Sequence, residues 1–189
     1  HQGGALRIRG DGTLIIGVGD DGPANAKLAQ DLTVLHGKIL RINTDGSIPD
    51  DNPFADMSNK TTQKIFAWGL NQPMSVGIDM NESNRIWIGD QAESKFQEVN
   101  LTLGGENFGW PKYEGSKTHH ANPEVKMTPP DPKKPVHEYD YGPTGKGAVT
   151  VGQPYRNKDG KYAFPKWFAG AVPVADFWQY WVKFLLEDD

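Results

Sequence analysis

The chain has 189 residues, with 20 Lys+Arg against 24 Asp+Glu and a formal net charge of −4. That balance lacks the basic face on which nucleic-acid binding depends, and the absence of cysteine rules out disulfide staples, thiolate metal centres and a cysteine nucleophile. Twenty-two glycines and 14 prolines are a punctuation that favours many short strands and turns over long helices.

At 37% hydrophobic and 11% aromatic residues the chain can build a core. Its apolar stretches, such as Leu14–Val18, are far too short to cross a bilayer, so no transmembrane segment is expected. The opening His1-Gln2-Gly3-Gly4 has neither a methionine nor a charged leader, and reads as the interior of something longer.

Taken in order, strand-like runs of aliphatic, β-branched and aromatic residues fall at 5–8, 13–20 and 37–42. They continue at 64–68, 74–79, 85–90 and 96–101, and then at 136–140, 148–152, 171–176 and 180–185. Each run is bounded by Gly, Asp, Asn or Pro, the composition of a strand between turns. Two of them end alike, in Gly19-Asp20 and Gly89-Asp90. Tandem units of three or four antiparallel strands predict an all-β fold, a β-propeller, with blades at about 1–63, 64–115 and 136–189. Long loops intervene at 43–63 and 104–135; in the second, Pro129-Pro130-Asp131-Pro132 and Pro135 impose extended backbone. The helix candidate is 24–35, with Leu28, Leu32 and Leu35 on one face, although Gly22-Pro23 and Gly37 could equally bracket a compact loop. Three blades cannot close a ring, so the remainder of the propeller is an expected partner.

Several segments in order resemble the soluble aldose (glucose/sorbosone) dehydrogenases that use pyrroloquinoline quinone (PQQ). They are His1-Gln2-Gly3-Gly4-Ala5-Leu6, Asp11-Gly12-Thr13-Leu14, Gly19-Asp20, Gln30-Asp31, Gly37-Lys38-Ile39-Leu40-Arg41-Ile42 and Asp45-Gly46-Ser47-Ile48-Pro49. Asn52-Pro53-Phe54, Trp68-Gly69-Leu70 with Pro73, and Gly105-Glu106-Asn107-Phe108-Gly109-Trp110-Pro111 follow. The likeness covers most of residues 1–115 and, more weakly, 149–177. It implies a six-bladed β-propeller, of which this chain covers about three blades, with the quinone at one end of the central channel.

In that family the histidine of a His-x-Gly-Gly segment is the general base, which corresponds to His1, with Gln2 beside it. Gly3 and Gly4 would let the backbone pass close to a flat cofactor. A neutral imidazole has a pKa near working pH and suits proton abstraction from a sugar hydroxyl. A Gly-Leu-Arg-Asn-Pro segment contacts the quinone in the family; here it reads Gly69-Leu70-Asn71-Gln72-Pro73, so Asn71 and Gln72 are the cofactor candidates and the fixed positive charge is gone. Calcium is implied as well, at Asp90, Gln91 and Ala92 in the turn Gly89-Asp90-Gln91-Ala92-Glu93, where a solvated acidic turn is the alternative reading. Lys146 and Arg156 are candidates to hold the cofactor carboxylates, with Tyr155 and Trp110 to stack on its rings.

Other chemistry finds less support. Lys146 follows the wrong glycine spacing for a phosphate loop, and no Gly-x-Ser-x-Gly elbow occurs. His119, His120 and His137 form a weaker metal candidate, adjacent loop histidines being more often solvated. The first reading is therefore an extracytoplasmic (secreted or periplasmic) quinoprotein that oxidises a sugar or alcohol and hands its electrons to an external acceptor such as a cytochrome. A catalytically silent propeller acting as a binding or interaction module is the alternative, and a lactonase-type propeller hydrolase a third.

Overall fold

The computed structural model describes residues 1–79, 84–119, 124–127, 129, 131–156 and 163–186. The chain is all-β, and among the described residues the only helical pieces are short 3-10 turns. The candidate helix at 24–35 is one of these, Ala26–Gln30. The Lys38 ammonium donates to the carbonyls of Leu28 (3.1 Å), Ala29 (2.9 Å) and His36 (2.6 Å), and Gly69 N–H donates to Ala29 O. Carbonyls that an α-helix would pair internally are turned onto a buried cation, so the segment wraps as a compact loop.

Three antiparallel sheets follow one another along the chain. The first comprises β1 (Gly3–Ile8), β2 (Leu14–Val18), β3 (Lys38–Ile42) and β4 (Ile65–Trp68), paired in that order. The second has β5 (Gln72–Ile78) at one edge, then β6 (Ile86–Gln91), β7 (Phe96–Thr102) and β10 (His137–Asp140). Between β7 and β10 a small hairpin forms from β8 (Tyr113–Glu114) and β9 (Lys117–Thr118), inside the stretch expected to be plain loop. The third sheet is β11 (Val149–Val151), β12 (Val172–Asp176) and β13 (Trp181–Leu185).

Sheet membership shifts the sequence-based unit boundaries. The strand at 65–68, expected to open the second unit, closes the first sheet against β3, and the strand at 137–140, expected to open the third, pairs with β7. In both cases the last strand reaches its sheet only after a long loop. Pairing, not proximity along the chain, decides where it belongs.

The sheets pack face to face, with β5 against β1 on one side and β11 on the other. Alternation along β6 shows why this works. Ile86 and Ile88 join the core shared with the first sheet, while Trp87 joins Val99, Val149 and Val172 in the core shared with the third. Each fully buried aliphatic of this kind contributes about 1.5–3 kcal/mol of transfer free energy. Close approach is built from glycine at Gly77, where a Cβ would collide with the carbonyl of Gly152. The outermost faces stay open. Leu6 and Ile8 on β1, and Val182 and Phe184 on β13, are exposed.

Candidate active site

Strand direction gathers the chemistry at one end of the first two sheets. His1 leads into β1, Asp20 follows β2, Asn71 and Gln72 open β5, and Asp90 to Glu93 close β6 and turn toward β7. The two sheets are tied there by Asp20 N–H donating to Asn71 O (2.9 Å), and Asp21 N–H donates to His1 O (3.2 Å). Gly3 sits at φ +72°, and a Cβ on it would lie 2.6 Å from Gly17 O and 2.7 Å from Gly19 N. Glycine at position 3 is therefore demanded by the neighbouring strand, rather than by a flat cofactor as the sequence suggests. Around Gly4 there is open space.

The His1 ring lies between two carboxyl groups. Nδ1 is 2.7 Å from Asp20 Oδ1, and Nε2 is 2.9 Å from Glu93 Oε2. The second approach is an ion-pair contact without hydrogen-bond alignment, and that glutamate oxygen has no other partner among the described residues. Asp20 is fully buried and also accepts from Gly22 N–H (2.9 Å) and from the indole N–H of Trp110 (2.8 Å). Burial pushes the Asp20 carboxyl above the usual carboxylate range, opposed by the Gly22 and Trp110 N–H donors. Burial also raises Glu93, helped by the charges of Asp20 and Glu114.

Beside this pair, Asn71 is 4% exposed, and neither its Oδ1 nor its Nδ2 has a hydrogen-bond partner among the described residues. A buried amide with both ends unmet is costly unless something fills the site. An acceptor such as a quinone carbonyl suits its N–H₂ group, so this end of the sheets fits an oxygen-bearing planar cofactor.

The expected calcium residues are engaged within the protein. Asp90 accepts Asn71 N–H (2.9 Å) and Gln72 N–H (2.6 Å), so its buried carboxylate caps the start of β5 instead of facing a cation. Burial, with Glu98 opposite it, holds the Asp90 carboxyl well above its ordinary range. The Gln91 amide oxygen accepts from the Gln72 amide (2.9 Å), and Ala92 O accepts from the Tyr141 hydroxyl (3.0 Å). Among the described residues no three His, Asp or Glu side chains converge as a metal-ligand set. Oxygens of the Gln91–Glu93 turn remain the donors that suit a hard cation.

Two cofactor candidates lie elsewhere. Arg156 pairs through Nε with Asp79 Oδ1 (2.9 Å) and through Nη2 with Asp79 Oδ2, beyond the end of β5 opposite Gln72. Seven strand residues separate the two ends, about 20 Å. Lys146 is exposed, with its ammonium 4.5 Å from the Trp178 ring. Gln2 is exposed next to His1. Tyr155 packs with Phe164 and Phe168 on the third sheet. Trp110 is buried behind Asp20, with His119 on its ring at 4.9 Å, so it supports the base and is not free to stack on a ligand. His120 lies outside the described residues. Glu93 was expected only as an oxygen donor to calcium and Asp20 only as a strand ending; that both carboxylates meet the His1 ring was not expected.

Comparison with known proteins bears on this geometry. A family model described as Glucose / Sorbosone dehydrogenase matches residues 1–169. The chain is 33% identical over 187 residues to the aldose sugar dehydrogenase YliI of Escherichia coli K12, across 93% of this chain and 46% of that protein. A solved glucose dehydrogenase superposes with a TM-score of 0.76 at 25% identity, over the whole of this chain and 51% of that one. The PQQ-bound form of an aldose sugar dehydrogenase from Streptomyces coelicolor shares the fold at a TM-score of 0.70 and 22% identity, again over the whole chain and 46% of the other. The chain thus spans about half the length of the relatives it matches. On the family match and this ordered likeness, the chain belongs to the glucose/sorbosone dehydrogenase family.

Proposed function

We propose that the three sheets are consecutive blades of a six-bladed β-propeller, and that the protein is an extracytoplasmic quinoprotein oxidising a sugar or alcohol with PQQ. The observation that carries this reading is the His1 imidazole held by buried Asp20 at the sheet end where the unpartnered Asn71 amide lies. The open faces of β1 and β13 are where the remaining blades would pack.

Asp20, as an ionised acceptor, requires the His1 proton on Nδ1, which leaves a lone pair on Nε2. A substrate hydroxyl that displaces Glu93 from Nε2 gives its proton to that nitrogen. The imidazolium so formed is stabilised by Asp20, whose position is fixed by Trp110 and Gly22. When bound, PQQ would supply the acceptor for the hydride that leaves the carbon bearing that hydroxyl, which becomes a carbonyl. Asn71 Nδ2 would donate to the quinone, with Gln72 adjoining it, and oxygens of the Gln91–Glu93 turn would hold calcium beside it. An external acceptor, such as a cytochrome, would take the electrons onward.

The silent-module reading is favoured by one observation: position 71 is asparagine, without the fixed positive charge that would favour a developing oxyanion. The test is dye reduction by aldoses with the protein from its native source, supplied with PQQ and calcium. Quinone-dependent turnover that His1→Ala abolishes supports the enzyme. No turnover, together with no quinone-dependent rise in melting temperature, overturns it in favour of the module.

A further inference from the structure

Next to the proposed active site lies a cleft of about 570 Å³ that the mechanism does not use. It is walled by the turn carrying Ser94 and Lys95, the start of β7 at Phe96, and the β8–β9 hairpin with Glu114, Lys117 and His119. It adjoins the site through shared neighbours. Ser94 directly follows Glu93, the residue on His1 Nε2, and His119 packs on Trp110, which donates to Asp20. Because both walls belong to the second sheet and its own hairpin, the cleft owes nothing to the open faces.

Its charge is one-sided once the internal contacts are counted. Glu114 is 4% exposed, and its carboxylate is spent on Ser94 N–H (2.7 Å), Ser94 Oγ–H (2.7 Å) and Lys95 N–H (3.0 Å), so it holds the wall together. Lys95 and Lys117 are exposed and form no ion pair among the described residues, the Lys95 ammonium resting 5.1 Å from the Phe96 ring centroid. The cleft offers two uncommitted ammonium groups, the Thr118 hydroxyl and a partly apolar floor. A volume of this order accommodates a ligand of one or two sugar rings.

We propose that this cleft is a subsite for an acidic sugar unit, so that the substrate is a saccharide whose oxidised end faces His1 while a carboxylate-bearing ring beyond it lies between Lys95 and Lys117. This rests on the dehydrogenase reading for the oxidised end, but the binding itself does not require turnover. Two ammonium groups meeting one carboxylate make charge-assisted contacts, and their joint loss is worth about tenfold to a hundredfold in affinity.

The experiment uses the native protein and its Lys95→Gln/Lys117→Gln double variant. Calorimetry measures binding of a glucuronic-acid disaccharide and of its neutral glucose counterpart, both as methyl glycosides that cannot be oxidised at the first carbon. Oxidation of the corresponding reducing disaccharides is then followed with PQQ and calcium. The expected result is tighter binding of the acidic glycoside, lost in the double variant, with the neutral sugar and the melting temperature unchanged. Equal affinity for the two glycosides, or a double variant that keeps the preference, overturns the subsite. Binding with the preference but no oxidation overturns the dehydrogenase reading and leaves the subsite standing. Oxidation without preference does the reverse.

Discussion

Asn71→Leu separates a residue kept for a ligand from one kept for the fold. Asn71 is 4% exposed, and both polar atoms of its side chain lack partners among the described residues. Leaving a buried amide unmet costs about 1–3 kcal/mol, and leucine has nearly the same shape without the polar ends. Its backbone is untouched by the change, since Asn71 N–H donates to Asp90 and Asn71 O accepts from Asp20 N–H. The ligand-free protein should therefore gain stability, about 1–2 kcal/mol, or roughly 2–8 °C in melting temperature for a protein of this size. Quinone binding should move the other way by about tenfold, because a hydrogen bond to a buried carbonyl is lost. Thermal unfolding without and with PQQ reads both numbers on the same samples. A variant that melts lower than the parent and binds quinone as well would show that Asn71 serves packing, and the argument from its unmet amide would fail.

Three further outcomes are expected. Asp20→Asn keeps the shape but places an amide N–H₂ against either His1 Nδ1–H or the Trp110 indole N–H; turnover should fall about 10²–10⁴-fold with KM little changed, and a loss under threefold would remove Asp20 from the mechanism. Gly3→Ala places a methyl 2.6 Å from Gly17 O at a φ of +72°, and should cost about 2 kcal/mol or more in a denaturant titration, while Gly4→Ala meets no atom within 4 Å but sits at a φ of +128°, and should cost the backbone strain alone, about 1 kcal/mol or more. Lys38 is pushed down to about 7 by burial, partly offset by Asp31, so between pH 7 and about 10 the unfolded chain binds the extra proton and stability climbs with pH by up to about 1.4 kcal/mol per unit. Lys38→Met should flatten that climb in unfolding curves taken at pH 7 and 9.5, and an unchanged slope would refute the assignment.

Strand content was legible because Val, Ile and aromatic runs between Gly, Asp and Pro have few other ways to bury themselves. Sheet membership was not. Ile65–Trp68 and His137–Asp140 have the composition of strands but carry no mark of the partner they meet across a long loop. The site shows the same division. His1 stands out through its Gly-Gly neighbours and Asp20 only as part of a repeated strand ending, both local signals. Glu93 on His1, and Trp110 behind Asp20, join residues some ninety positions apart, and no local pattern encodes such a meeting. Arg156 misled for a related reason: a positive charge looks available until its buried partner, here Asp79, is known.

The acids are concentrated where the site's loops meet the second sheet. Asp90, Glu98 and Glu138 stand in register across β6, β7 and β10, an arrangement of like charges that a sheet would ordinarily avoid. Each accepts backbone N–H groups from a loop, Glu98 and Glu138 from the same hairpin turn. Asp90 takes those of Asn71 and Gln72, Glu98 takes Gly115 N–H, and Glu138 takes Ser116 N–H. Glu114 does the same for Ser94 and Lys95. The repulsion is the cost of fixing, at one end of a single sheet, the loop that presents Asn71, the turn that carries Glu93 and the hairpin that walls the cleft. Had these carboxylates served only stability, neutral side chains on the same strands would do as well. Their concentration where the backbone is irregular argues that the sheet is organised around holding those loops still.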